Sequence, residues 1–280
     1  IVVFASREDE RVLDTVEAAI ENYPGPDAPM HVVPGPDAYR AAEPTMALEA
    51  IEGNDRLEAR LRPPGPERFG LDGRPTLVHT PRTVAHLAVA LRAGSPADTR
   101  VLTVRGDVDS PATIELPETA TLGAALDAVN IDGEFKAACV GGRFGGLTRS
   151  REVTVDPAAL ADADLGTEGT VQVIAGDHCV VEFVGRRAQF AADENCGRCV
   201  PCREGSAQLA DLLRDVYDQE YDPDGIDELV GVMRDSSICR FGVEAGRPAR
   251  TAIERFGGEF AAHADGRCPA GSCRDLLEAN

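Results

Sequence analysis

Apolar residues recur along the chain with more than one period. IVVFA at 1–5 is an unbroken apolar run, the pattern of a buried strand. DERVLDTVEAAIENY at 9–23 sets Leu13, Val16, Ala19 and Ile20 three and four residues apart, which predicts a helix stopped by Pro24 and Gly25. MHVVPG at 30–35 reads as a second strand, completing a β-α-β pattern, and TMALEAIEGN as a short helix ending at Gly53. Residues 58–76, EARLRPPGPERFGLDGRPT, are rich in proline and glycine and predict loop. From Thr83 to Arg92 a further helix carries Val84, Leu87, Ala88 and Leu91 on one face and closes at Gly94.

The texture changes near residue 100. RVLTVRGDV, ATIELPE, FKAACVGG and EVTVD are short alternating segments around one short helical stretch, TLGAALDAVN, and predict a mixed sheet gripping a single helix, as in the small β-grasp design. After a loop at 157–169 comes a strand, TVQVIA, and then helices expected at 179–194, 205–219, 225–235 and 248–262. Leu209, Leu212, Leu213 and Val216 recur at three and four residues, as do Ile226, Leu229, Val230 and Met233, and Ile253, Phe256 and Phe260. The fold class is therefore α+β, in three parts: an α/β region at 1–96, a sheet-and-helix domain at 97–168, and a helical domain at 169–280.

Composition adds a partner constraint. The 280 residues hold 28 basic and 48 acidic side chains, a net charge of −20, and Lys136 is the sole lysine. Such a surface repels nucleic acid and anionic membrane and suits a salt-rich cytoplasm, so a salt-adapted source is expected over a locally acidic docking face. The opening residues lack the pattern of a signal peptide, and no apolar run is long enough to cross a bilayer. A cytoplasmic protein, peripheral to the membrane at most through partners, is expected. The chain opens on Ile1 and not on methionine, so upstream residues are expected as well.

Eight cysteines are too few for a disulfide scaffold and too clustered for scattered core thiols. Cys196, Cys199 and Cys202 lie within ENCGRCVPCREG, where Gly197 and Pro201 suit a tight loop around one metal centre. A CxxCxxC triple with one distant cysteine is the pattern of a [4Fe-4S] cluster, whereas structural zinc favours two short pairs; an accidental group of thiols is the third reading. Arg198 and Arg203 flank the cysteines and would either offset cluster charge or sit solvated at the surface. The candidates for the distant ligand are Cys239 in SSICRFG, which a helix hairpin would return to the triple, and Cys268 and Cys273 beyond the last helix. Cys139 and Cys179 read as small buried hydrophobes.

ENCGRCVPCREG, SSICRFG and PARTAIERFGGEF together resemble the C-terminal iron-sulfur region of the flavin- and NADH-binding subunit of respiratory complex I and related NAD-linked hydrogenases and formate dehydrogenases. VLTVRGDVDSPATIELPETATLGAALDAV resembles that family's ubiquitin-like β-grasp domain, and CVGGRFGG the glycine-rich turn after it. EPTMALEAIEGN and GLDGRPTLVHTPRTVAHLAVALRAG resemble the C-terminal half of its flavin domain. The resemblance implies a [4Fe-4S] cluster on Cys196, Cys199, Cys202 and Cys239, electron transfer within an NADH-dehydrogenase-like oxidoreductase, and partner redox subunits.

It also exposes departures. The family's glycine-rich FMN loop has no counterpart before Gly141, its pair of glutamates is here Glu43-Pro44, and its asparagine pair is His79-Thr80, followed by Pro81 and Arg82. FMN and NAD are therefore doubtful ligands of this chain alone. His79 reads as a surface residue. The alternative is an assembly or partner-binding subunit with a degenerate flavin domain and a structural cluster. Cys268 and Cys273 are expected to leave the iron content unchanged when replaced; the alternative is a second cluster continued in further sequence.

Overall fold

The computed structural model describes residues 1–25, 28–96 and 98–273. Strand β1 (Val2–Ser6), helix α1 (Glu10–Glu21) and strand β2 (His31–Gly35) form the expected β-α-β unit, with β1 and β2 parallel. Asp9 caps α1 by accepting from Val12 N–H. Helix α2 (Pro44–Ile51) opens with Pro44 in its first turn, and helix α3 (Pro81–Ala93) is closed by left-handed Gly94. The α3 positions Val84, Leu87 and Leu91 share a face as the sequence pattern requires, yet they are exposed, as is Val89.

The centre of the molecule is a five-stranded mixed sheet. Strands β3 (Thr99–Gly106), β4 (Ala112–Pro117), β5 (Phe135–Val140), β6 (Gly146–Thr148) and β7 (Thr170–Ala175) lie in the order β4-β3-β7-β5-β6. All neighbours are antiparallel except β3 and β7, which run parallel in the middle. TVQVIA thus enters the sheet as its central strand and does not lead a separate helical unit. EVTVD, expected as a strand, makes only an isolated bridge, Thr121 to Thr154. Its backbone is used differently: Val153 C=O accepts from Leu122 N–H and Val155 N–H donates to Ala120 C=O, which ties it to the start of helix α4 (Leu122–Leu126) and leaves no ladder to extend.

Period-two alternation divides β5 between two cores. Ala138 and Val140 point to one face, with Leu102, Val104, Val171 and Val173, and are covered by α4 and by Leu160 of helix α5 (Pro157–Asp162). Ala137 and Cys139 point to the other, where helices α6 (Val180–Glu194) and α10 (Arg247–Ala264) pack with Val181, Val184, Ala252, Phe256 and Phe260. Helices α7 (Val200–Asp215), α8 (Pro223–Ser236) and the short α9 (Arg240–Glu244) complete the helical region. Helix α7 begins five residues earlier than expected. Pro201 lies in its first turn, where the missing N–H costs nothing, so it starts a helix and does not serve as a loop residue. The fold is a mixed α/β structure with a C-terminal helical region. No helix among the described residues is long and apolar enough to cross a membrane.

Candidate metal centre

Helix α6 is capped at its C-terminus by Asn195, whose side chain shapes the turn after it. Its Nδ2 donates to the Ala191 and Ala192 carbonyls at 3.1 and 2.7 Å, and its Oδ1 accepts from Gly197 N–H at 3.0 Å. The chain then turns through Gly197 at φ +77°, a conformation that a side chain disfavours, and enters α7. This short turn sets Cys196 and Cys199 at its rim, Cys199 as the N-cap of α7, and Cys202 one turn into the helix. Cys239 is the N-cap of α9.

These elements bring the four cysteines together: Cys199 and Cys239 pack on the same small core as buried Cys202. Burial pushes the Cys202 thiol up first, and the neighbouring Cys199, Cys239 and Cys196 thiols push it further. Cys239 is raised mainly by burial, against amide hydrogen bonds from Phe241 and Gly242. Among the described residues, only one group of three or more potential ligand atoms draws within 4.8 Å of one another, and it is not this one. A CxxCxxC triple with one distant thiol suits a polynuclear cluster, with one thiolate per iron, better than a single ion.

The surroundings also fit such a cluster. Phe144, Met233, Phe241 and Ala245 form the buried wall beside Cys202, and Tyr39 lies edge-on to Phe144, Phe190 and Phe241 at centroid distances of 5.6, 5.3 and 6.1 Å. Gly242 lets α9 approach α7: a Cβ there would lie 2.8 Å from Cys202 Cβ and 2.4 Å from Ser237 Oγ. That Ser237 oxygen is buried with no hydrogen-bond partner among the described residues, beside Cys202 and two residues before Cys239. A cluster sulfur is an acceptor that would satisfy it. Arg203 donates to Gly197 C=O at 2.8 Å and pairs with Glu204, and half-buried Arg198 lies 3.8 Å from Glu58. Both arginines brace the loop.

A second constellation was missed by the sequence reading. Cys179, the N-cap of α6, His263, in the last turn of α10, and Cys268 and Cys273 beyond it place their ligand atoms within 4.8 Å of one another. Cys179 is buried as expected, but as part of this group and not as a mere hydrophobe. Cys268 and Cys273 find their partners inside the chain. Three thiols and an imidazole are a donor set that zinc and iron-sulfur centres both use. The overlooked signal was His263-x4-Cys268-x4-Cys273, a histidine on the apolar side of a helix followed at once by two cysteines. Cys139 stands apart, fully buried in β5 with its thiol pushed up to about 11, first by burial.

The positions that depart from the flavin pattern serve the backbone. Glu43 caps α2, with Oε2 accepting from Thr45 N–H at 2.9 Å and Met46 N–H at 3.0 Å, and Thr80 caps α3. His79 is exposed.

Comparison with known proteins bears on the helical region that holds Cys196, Cys199, Cys202 and Cys239. Residues 182–263 match the model of the NADH-ubiquinone oxidoreductase-F iron-sulfur binding region. The chain is 32% identical over 257 residues to the F subunit of the NADH-quinone oxidoreductase of Aquifex aeolicus, covering 84% of this chain and 58% of that protein. It is 29% identical over 265 residues to the NADP-reducing hydrogenase subunit HndC of Solidesulfovibrio fructosivorans, covering 87% of this chain and 54% of the other. The chain thus spans little more than half the length of these relatives. The crystal structure of an NAD+-reducing [NiFe]-hydrogenase in the H2-reduced state superposes with a TM-score of 0.81 at 28% identity, over 99% of this chain and 52% of that one. Residues 182–263 accordingly match an F-subunit iron-sulfur binding region, and the chain as a whole is similar to part of NADH-quinone oxidoreductase F subunits and of an NAD+-reducing hydrogenase.

Proposed function

We propose that the chain is an electron-transfer subunit of an NADH-dehydrogenase-like oxidoreductase, carrying a [4Fe-4S] cluster on Cys196, Cys199, Cys202 and Cys239. The observation that supports this reading is the convergence of Cys199, Cys202 and Cys239 onto one apolar, aromatic wall, with Cys196 near enough to push the Cys202 thiol up and an unpartnered hydroxyl beside Cys202. Bound there, the cluster supplies one-electron storage between a two-electron donor and an acceptor. The protein's part is to hold and tune. The loop hydrogen bonds of Asn195 hold the turn between Cys196 and Cys199, Gly242 admits α9 beside Cys202, the phenylalanines exclude water, and the unpartnered Ser237 Oγ–H would donate toward a sulfur.

NADH and flavin enter this reading as the electron source and not as ligands of residues 1–96, whose Glu43 and Thr80 side chains are engaged in helix caps. The domain reading is an α/β flavin-domain-like region at 1–96, a β-grasp domain at 97–168 to which β7 adds the central strand, and a cluster-bearing helical domain at 169–280. The sheet order around α4 supports the middle assignment. Other redox subunits are the partners in a cytoplasmic complex, and the charge of −20 with a single lysine supports a salt-adapted source.

Chain purified without oxygen at high salt should be brown and hold about four irons and four sulfides, and Cys239→Ala should lose the intact cluster. A colourless protein, or Cys239→Ala with full iron, overturns the ligand assignment. The assembly-subunit alternative is favoured by Pro44 and the capping role of Glu43. It predicts a cluster that NADH, given together with the flavin-bearing partners, does not reduce.

A further inference from the structure

We infer that Cys179, His263, Cys268 and Cys273 form a second, mononuclear metal site that takes zinc and clasps the two ends of the helical region together. This does not rest on the electron-transfer reading. It concerns different residues and a different metal.

Spacing carries the first part. Tetrahedral zinc with Zn–S near 2.3 Å and Zn–N near 2.0 Å sets its ligand atoms about 3.5–3.8 Å apart. All four atoms here lie within 4.8 Å of one another, and Cys179 Sγ is 3.3 Å from His263 Nε2. Such a set can close on one ion with small side-chain adjustments, whereas it is too tight to give one ligand to each iron of a cubane. Four protein ligands leave no open position, which is the mark of a structural zinc site.

The second part is the preparation of each ligand. His263 is fully buried, and its Nδ1 lies 2.7 Å from Glu259 C=O. A carbonyl can only accept, so Nδ1 carries the proton and the Nε2 lone pair faces the thiols. Glu259 is itself held by Lys136, Nζ to Oε2 2.9 Å, and Tyr217 stands edge-on to the imidazole at 5.5 Å. Glu182 N–H donates to Cys179 Sγ at 3.4 Å, which fixes the sulfur at the helix start. Cys273 Sγ lies 3.8 Å from the Tyr217 hydroxyl oxygen and 4.0 Å from Glu182 Oε2. All three cysteines are free thiols. Without a metal, this largely buried group of three thiols and one imidazole is held by sulfur hydrogen bonds, among them Cys179 to His263 at 3.3 Å.

The third part is where the site sits. It joins the first residue before α6 to the last turn of α10, and turns the segment after Ala264 back onto them through hydrogen bonds from Gly266 N–H to His263 C=O and Gly271 N–H to Cys268 C=O. The clasp therefore closes a loop that contains all of ENCGRCVPCREG and SSICRFG.

The test is metal analysis of the full chain, purified without oxygen from cells grown with both iron and zinc. About one zinc per chain is expected beside the iron. Cys268→Ser and His263→Ala should lose the zinc and keep the iron and visible absorption. Cys199→Ala should do the reverse, which separates failure here from failure of the cluster assignment. His263→Cys, which restores a four-thiolate set, should keep zinc, and Cys139→Ala should change neither metal. Zinc-edge absorption spectroscopy should show three sulfurs and one nitrogen. Chelation should expose the segment from Asp265 onward to protease. A zinc-free wild type, a Cys268–Cys273 disulfide in the native protein, or iron lost with Cys268→Ser each overturns the proposal.

Discussion

Gly242→Ala tests whether the contact between α7 and α9 holds the cluster ligands in place. An added Cβ would sit 2.4 Å from Ser237 Oγ, 2.7 Å from Ser237 Cβ and 2.8 Å from Cys202 Cβ. Carbon atoms pack at about 3.5–4.0 Å, so the two neighbouring Cβ atoms must each yield by roughly 1 Å. Neither is the free end of a side chain: both are fixed to backbone, one in α7 and one just past α8. The displacement falls on α9, whose N-cap is Cys239. Overpacking of this kind costs about 1–3 kcal/mol, and ligand distances at a metal site tolerate shifts of only about 0.2 Å. The variant should fold with a melting temperature lowered by several degrees and should lose iron. Gly231→Ala is the control, since nothing lies within 4 Å of a Cβ placed there in the middle of α8. It should gain about 0.5–1 kcal/mol from helix propensity and keep its iron. Thermal melts with iron and sulfide counts decide the matter, and a Gly242→Ala protein with full iron and an unchanged melt would refute the reasoning.

Ser237→Ala removes the one buried hydroxyl without a partner beside Cys202. It should leave iron content intact while lowering the cluster's reduction potential, because a hydrogen bond to sulfur favours the more negative reduced state; an unchanged potential in a redox titration removes Ser237 from the account. Lys136→Met strips Glu259 of a partner in a pair whose side chains are only 14% and 11% exposed, and should cost about 3 kcal/mol in urea denaturation. Lys136→Met with Glu259→Leu should recover most of that, and a double variant no better than the single would sink the pairing argument. Asp156 caps α5, accepting from Thr154 Oγ1 at 2.5 Å and Ala159 N–H at 2.8 Å, and the Thr154 bond first, then Ala159, holds its carboxyl below the ordinary range. Its stabilisation is thus present above the ordinary carboxylate pKa and is lost as pH falls through the lowered value. The stability gap between wild type and Asp156→Asn should shrink on acidification, and a gap that widens would contradict the cap.

The elements with strong local signals were legible before the fold was known. Helices α6, α8 and α10 repeat their apolar positions over several turns and carry end signals, and the CxxCxxC triple is contiguous, so the nearness of its cysteines needed no tertiary knowledge. What failed was whatever depends on a partner distant in sequence. EVTVD alternates like a strand, but the pairing positions beside it are taken by backbone around α4, and alternation alone cannot reveal an occupied edge. Val84, Leu87 and Leu91 form a helical stripe that local sequence equates with burial, although among the described residues nothing covers it. Cys179 looked like a small hydrophobe because its three partners lie more than eighty residues further on, and His263 falls just past the helix expected at 248–262. Each is unremarkable alone, and only the packing of α10 against α6 makes the four a site.

Helix α6 also separates two groups of cysteines. Its N-cap is Cys179 and its C-cap is Asn195, the residue before Cys196, so the two constellations stand at opposite ends of one 15-residue helix. At a rise of 1.5 Å per residue that separation is about 22 Å, far too large for either set to lend a ligand to the other. The helix cannot flex to shorten it, because Val180, Val181, Val184, Ala188 and Ala191 are buried along its length. The eight cysteines therefore stand in three places: Cys196, Cys199, Cys202 and Cys239 near the starts of α7 and α9, Cys179, Cys268 and Cys273 with His263 at the other end of α6, and Cys139 in the sheet. Loss of either metal need not release the other directly. Any coupling must pass through α6 itself: opening the clasp frees the helix start, and the strain reaches the cluster only as far as Asn195 ceases to hold Gly197. Cluster loss should consequently lag zinc removal, and the lag should shorten in a protein carrying Asn195→Ala.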